Sequence, residues 1–190
     1  MMQRVVKRFW GKVTSEEVLT GFTVLLDGMP VQTPANAKLV VPTQALVDRI
    51  AAEWDAQEDQ IDPLSMPYTR MTNSAIDKVK PQFFEVVNQL AAYAETDLLC
   101  YRAEGPRALV KRQADGWDPL LAWAAKMFDA PLKVVTGVMF VKQPSNSLAQ
   151  LKQRITQLSP FELAAVHDLI ALSGSLVASL AVIYRKKAAD

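Results

Sequence analysis

The spacing of apolar residues changes near Val41, from strand-like to mainly helical, and that change limits what the chain can fold into. Up to Val41 the pattern is that of strands. Phe22, Val24 and Leu26 alternate with Thr23 and Leu25, Asp27-Gly28 follows, and Met29-Pro30-Val31-Gln32-Thr33 resumes the run. An Asp-Gly pair supplies the positive φ values of a tight primed turn, whose twist matches two antiparallel strands. Pro30 cannot donate to a ladder and so belongs on an edge. Lys38-Leu39-Val40-Val41, closed by Pro42, reads as a third strand. Thr14-Ser15-Glu16-Glu17 has the form of a capping box, but Gly21 arrives too soon for a helix. That stretch reads as a loop or short turn.

From Thr43 onward the period is helical. Leu46, Ile50 and Trp54 fall four apart behind Thr43, a capping residue. Asp62-Pro63 to Met66-Pro67 reads as a rigid connector. A helix opening near Pro81 carries Phe84, Val87, Ala91, Ala94 and Leu98 on one stripe. The next, from Pro106 towards Gln113, should be interrupted at Gly116 and Pro119 and restart with Leu120, Ala124 and Met127 inward. Val134 to Val141 is β-branched and reads as a strand despite Gly137. Leu148, Leu151, Ile155 and Leu158 mark a further helix. Ser159-Pro160-Phe161-Glu162 is the strongest start signal in the chain: a capping serine, a proline at the first helical position and a glutamate at the third. The fold class is therefore α+β, a small antiparallel β-rich N-terminal domain with one helix (residues 1–62) followed by a mainly α-helical domain (63–190).

Several function classes are excluded or disfavoured. A net charge of +1 gives no field that would gather nucleic acid or anionic lipid. The single cysteine, Cys100, rules out an intramolecular disulfide and fits a reducing compartment. The N-terminus is basic but lacks the apolar stretch of a secretory signal. Leu169 to Tyr184 is uncharged and ends in Arg185-Lys186-Lys187. It carries Ser173, Gly174, Ser175 and Ser179, and falls short of the roughly 20 apolar residues of a membrane span. A buried central helix is the expectation, without integral membrane insertion.

The chain contains no Gly-x-x-x-x-Gly-Lys loop, no Gly-x-Gly-x-x-Gly and no His-Glu-x-x-His. Its one histidine, His167, cannot build a multi-histidine metal site and reads as a core or helix-end residue. Glu95 to Arg102 places Asp97, Cys100 and Tyr101 together if helical, but without a histidine to activate the thiol. A polar buried junction, with Asp97 pairing Arg102 or a backbone N–H, is the plain reading. No catalytic residue, cofactor or metal is assigned. Among the aromatics, Trp54 reads as core, whereas Trp10 and Tyr68 lie in less periodic segments and are candidates for exposure. Met66-Pro67-Tyr68-Thr69-Arg70-Met71 mixes adaptable apolar side chains with a cation, suited either to a packed linker or to a partner surface.

Taken together, Arg8-Phe9-Trp10, Gly21 to Val31, Val41-Pro42-Thr43, Ala51 to Gln57, Met66 to Arg70, Thr96 to Arg102 and Gln113 to Trp123 resemble one family in order and spacing. The sequence looks like the F1-ATPase assembly chaperones that serve the α subunit in mitochondria and alphaproteobacteria. The resemblance spans nearly the whole chain. It implies a β-rich domain followed by a helical one, no enzyme activity, and a single client. That client is the unassembled F1-ATPase α subunit, held so that its β-subunit-facing surface is shielded. It implies a cytoplasmic site in bacteria, or the mitochondrial matrix for a processed eukaryotic relative. Trp10, Tyr68, Arg70, Asp97, Tyr101 and Arg102 are the partner-binding candidates. A small soluble enzyme and a membrane-associated adaptor are the competing classes. Family members usually continue past the apolar helix into an acidic segment with a Trp-Gly pair and a glutamate important for activity. Here the sequence stops at Asp190. The C-terminal domain is thus expected to be truncated, and the exposed C-terminal apolar helix to drive self-association.

Overall fold

A computed structural model describes residues 7–187. The basic start and the final residues weighed above, 1–6 and 188–190, lie outside the described residues. The chain divides into two compact units, one ending at Pro81 and the other beginning at Gln82.

The first unit is built on a small antiparallel sheet. Strand β1 (Val13–Val18) pairs with β2 (Gly21–Leu26) from Val13↔Leu26 to Val18↔Gly21. On the other side β2 pairs with the edge strand β3 (Met29–Pro30) and with β4 (Val40–Val41). Asp27 and Gly28 turn with φ of 49° and 84°, the primed hairpin that Asp-Gly dictates, and Pro30 sits on the edge. The Thr14 to Glu17 stretch is strand, correcting the loop reading. Its polar side chains had suggested a cap, but β2 offers it a full antiparallel ladder. Gly21 is where the sheet tolerates no side chain. Its φ is +144°, and a Cβ there would stand 2.3 Å from the Val41 carbonyl oxygen across the β2–β4 pair.

Helix α1 (Gln44–Asp55) packs on this sheet, burying Val47 and Ile50 among Val24, Leu26 and Val41. Thr43 Oγ1 caps it by accepting from the Leu46 N–H at 3.3 Å. The stretch from Asp62 to Pro67, read from sequence as a rigid connector, is pinned to the end of α1. The Gln57 side chain, 5% exposed, donates to the Glu53 carbonyl and to Ser65 Oγ and accepts from the Asp62 N–H. Helix α2 (Pro67–Ser74) and the π-helical turn after it (Ala75–Val79) therefore belong to the first unit, which continues past the 62/63 boundary to Pro81.

The second unit is helical: α3 (Phe83–Ala91), α4 (Arg107–Phe128), α5 (Ser145–Thr156), α6 (Pro160–Ser173) and α7 (Leu176–Ile183). Two-residue strands β5 (Tyr101–Arg102) and β6 (Val135–Thr136) pair in parallel. Three expectations change here. Helix α4 runs unbroken through Gly116 and Pro119. Pro119 lies on the exposed face, so the Asp115 carbonyl left without its N–H partner can meet water, while Leu120, Leu121 and Ala124 hold the buried face. The Val134 to Val141 strand shrinks to two residues. The stripe of α3 turns differently from the expected one: Val87 and Ala94 are buried, whereas Phe84 is 71% exposed and Leu98 lies in a later turn.

Ser159 and Glu162 form the expected capping box, each side chain bonding the other's backbone N–H. The long apolar helix is two helices, broken where Gly174 takes a left-handed conformation, φ 67°, to cap α6. Ser175 then starts α7 by accepting from the Ala178 N–H at 2.9 Å. No helix among the described residues is long and apolar enough to cross a membrane. Helix α7 buries Leu176, Val177, Leu180 and Ala181, as expected of a central helix, while Leu172 at the end of α6 is 89% exposed.

Candidate functional site

In the first unit the fold uses two motif residues as fasteners. The Arg8 guanidinium donates to the carbonyls of Trp10, Asp55 and Gln57 and lies 3.6 Å from the Asp55 carboxylate. It supplies a cation to the C-terminal end of α1, where unpaired carbonyls collect partial negative charge. Glu53 does the converse for α2. Its carboxylate accepts from the Tyr68 N–H at 2.7 Å and from the Thr69 N–H and hydroxyl at 2.8 and 2.7 Å. It thereby serves as the N-cap that Met66 lacks. Tyr68 and Arg70 then stand exposed on α2 beside the partly exposed Met71. Trp10 is not exposed as expected. At 4% exposure it packs edge-on against Trp54 at 5.1 Å, because Arg8 fixes the strand-like N-terminal segment over the helix end. Trp54 is half-buried. Phe9, its neighbour, is the exposed aromatic at 74%.

In the second unit, residues 97 to 102 are a tight turn leading into β5, where a helix had been considered. Asp97 is fully buried. One carboxylate oxygen accepts from the Leu99 N–H and the other from the Val177 N–H, each at 3.0 Å, with the Ser175 hydroxyl and Leu176 N–H contributing. It joins the turn to the N-terminus of α7, the backbone alternative of the plain reading. Burial lifts its carboxyl above the usual range, against the pull of those donors. Cys100 is buried beside it. Burial first, and then the Asp97 charge, push its thiol up to about 12, with Arg102 opposing. A thiol held neutral in this way is not a nucleophile at physiological pH. Among the described residues no group of three or more His, Cys, Asp or Glu could hold a metal. His167 is half-exposed, with Nδ1 3.1 Å from the Asp168 carboxylate.

Arg102 is the hub of this turn. Its Nε donates to the Leu99 carbonyl at 2.9 Å, and its guanidinium lies over the Trp117 ring at 5.3 Å. It also makes an ion pair with Asp118 at 2.8 Å, though without hydrogen-bond geometry. Asp97 and Arg102, considered from sequence as a pair, each find other partners. Tyr101 is half-buried. The structure thus brings Asp97, Tyr101 and Arg102 onto one stretch of the second unit, and Tyr68 and Arg70 onto one helix of the first.

Sequence reasoning missed what stands next to β5. After β6 the Gly137 N–H donates to the Arg102 carbonyl at 2.8 Å, and the chain leaves the ladder. Val138, Met139 and Phe140 are then 90, 78 and 60% exposed. The loop is closed at its base by Gln143, whose side chain accepts from the Lys133 N–H at 2.7 Å and donates to the Lys133 carbonyl at 3.0 Å. The missed signal was Gly137 followed by four apolar residues without alternation, which suits neither a half-buried strand nor a helix. Further along α4, Pro119, Ala122, Trp123, Lys126 and Met127 line, with Lys186, a groove of about 580 Å³.

This fold, an antiparallel sheet with a helix followed by a helical unit, carries its polar side chains as structural fasteners and keeps large apolar side chains on its surface. A profile of the ATP12 chaperone protein family matches residues 7–125. The structure is similar to that of Atp12 from Paracoccus denitrificans, with TM-score 0.92 and 48% identity over 95% of this chain and 78% of that one. A mutant of the same P. denitrificans protein matches equally well, covering 77% of its length. A candidate chaperone from Agrobacterium tumefaciens matches at TM-score 0.91 and 40% identity, covering 99% of this chain and 71% of that one. The chain belongs to the ATP12 chaperone family.

Proposed function

We propose that this protein is an assembly chaperone for the F1 sector of ATP synthase and that it holds the unassembled α subunit, covering the surface meant for the β subunit. Family membership carries the chaperone part of this reading. A subunit awaiting its neighbours exposes apolar surface that would otherwise drive aggregation. Masking it takes shape and apolar contact, with no bond made or broken. The buried Cys100, its thiol pushed up by burial, and Asp97, bonded to backbone N–H groups, weigh against the competing enzyme reading. The bacterial relatives fit a cytoplasmic site of action.

The test is aggregation of purified, unassembled α subunit followed by light scattering. An equimolar amount of this protein should suppress scattering and co-elute with α, and added β subunit should displace it. Failure to bind α, or turnover of a small molecule that α does not require, would overturn the reading.

A further inference from the structure

We propose that the outer edge of β1 takes up an extended, Lys- or Arg-bearing segment of the unassembled α subunit as an additional strand; this rests on the function proposed above. Strand β1 pairs on one side only, with β2. The Asp27 N–H donates to the Lys12 carbonyl at 2.9 Å, which sets the phase of the ladder. Residues that exchange hydrogen bonds across an antiparallel pair alternate, so Thr14, Glu16 and Val18 turn their backbone groups towards β2. Those of Val13, Ser15 and Glu17 point away from it. Among the described residues, none of the N–H or carbonyl groups of these three has a hydrogen-bond partner. The edge is also regular: its register with β2 runs from Val13 to Val18 without a bulge, and no proline interrupts it. A regular row of unpaired backbone groups is what an incoming extended chain hydrogen-bonds to.

Charge along the edge selects the occupant. Glu16 and Glu17 are both exposed, and as neighbours in a strand they stand on opposite faces of the sheet. Among the described residues neither forms an ion pair. A third carboxylate lies close by on α1: the Gln44 amide donates to Asp48 at 2.6 Å and reaches the Ser15 hydroxyl at 3.5 Å. The one cation between Lys12 and Thr20 is Lys12 itself, ahead of the strand and beside the Asp27 carboxylate. Pairing the β1 edges of two copies would bring four glutamates into one short ladder, where like charges repel, so a second copy of this chain is disfavoured. A segment that places Lys or Arg beside Glu16 and Glu17 is attracted on both faces of the sheet.

The experiment is amide hydrogen exchange, resolved to single residues, on the wild-type chain with and without purified α subunit. The Val13, Ser15 and Glu17 amides should exchange fast in the free chain and slow about tenfold or more on binding, whereas those of Thr14, Glu16 and Val18, already bonded to β2, should change little. Protection at alternate residues marks an added strand; a surface merely covered would not show it. Two variants accompany it. Ser15→Pro removes an outward N–H and none that serves β2, and should weaken α binding about threefold or more. E16K/E17K should weaken it about tenfold or more. If wild type holds α while the three outward amides stay fast, the docking role is refuted and the function stands; this measurement decides even where a variant misfolds. A folded E16K/E17K that binds α as well as wild type refutes a basic occupant and with it the proposal. Protection that grows with the concentration of this chain alone, without α, would reassign the edge to a second copy and overturn the proposal. If wild type itself fails to hold α, the functional reading falls and the named client with it.

Discussion

Replacing Asp97 tests the central joint of the helical unit. The side chain is fully buried and satisfies the N–H groups of Leu99, two residues on, and of Val177, 80 residues on. In Asp97→Ala both donors lose their acceptor inside the protein. An unpaired buried donor costs about 1–3 kcal/mol, so two cost roughly 2–6 kcal/mol, and relief from burying a carboxylate offsets part of that. The expected loss is about 2–4 kcal/mol. Asp97→Asn keeps one acceptor oxygen but turns an amide NH2 towards the other donor, and should lose about half as much. Urea unfolding monitored by circular dichroism measures both.

The pH dependence gives the sign. Burial raises the folded-state value of Asp97 above 3.8, so the native protein holds this proton more tightly than the unfolded chain. Stability from the neutral form is complete below 3.8 and fades as pH climbs through the raised folded value. The amide introduced by Asp97→Asn does not titrate. The advantage of wild type over that variant should therefore shrink as pH rises across the same window. An advantage that widens with pH would show that the amide donors outweigh burial. A loss below about 0.5 kcal/mol for Asp97→Ala would refute the joint itself, since surface substitutions fall in that range.

Removing the cap of α2 with Glu53→Ala should cost about 1–2 kcal/mol and speed amide exchange at Tyr68 and Thr69 first; uniform exchange across α2 would argue that the carboxylate does not cap it. Gly21→Ala forces a Cβ into the Val41 carbonyl and should destabilise by more than about 1 kcal/mol, seen as a lower urea midpoint; a neutral result would mean the β2–β4 pair can separate without loss. Native Cys100 should resist iodoacetamide at pH 8 and alkylate fully in urea, with rapid native labelling counting against its burial and its high pKa. Phe9, exposed beside buried Trp10, should tolerate Phe9→Ser with a midpoint change within about 0.5 kcal/mol, whereas Trp10→Ala should cost about 3 kcal/mol or more.

Local chemistry was legible in the sequence where the signal and the structure share a scale of a few residues. Asp27-Gly28 made its primed turn, Thr43 and Ser159 capped their helices, and the change of period marked the passage from sheet to helices, because turns and caps are settled by neighbours in the chain. The family resemblance was also carried by short phrases in order. What only the tertiary structure decided were the long-range partners. Gln57 and Glu53 hold the start of the stretch 63–81, which falls in the first unit, Trp54 and Arg8 took Trp10 out of solvent, and Val177 claimed Asp97. Likewise, an apolar run cannot announce whether it faces in or out. Val138, Met139 and Phe140 read as part of a strand, yet their loop stands at the surface, since exposure depends on which other segments arrive to cover a residue and the sequence records only its polarity.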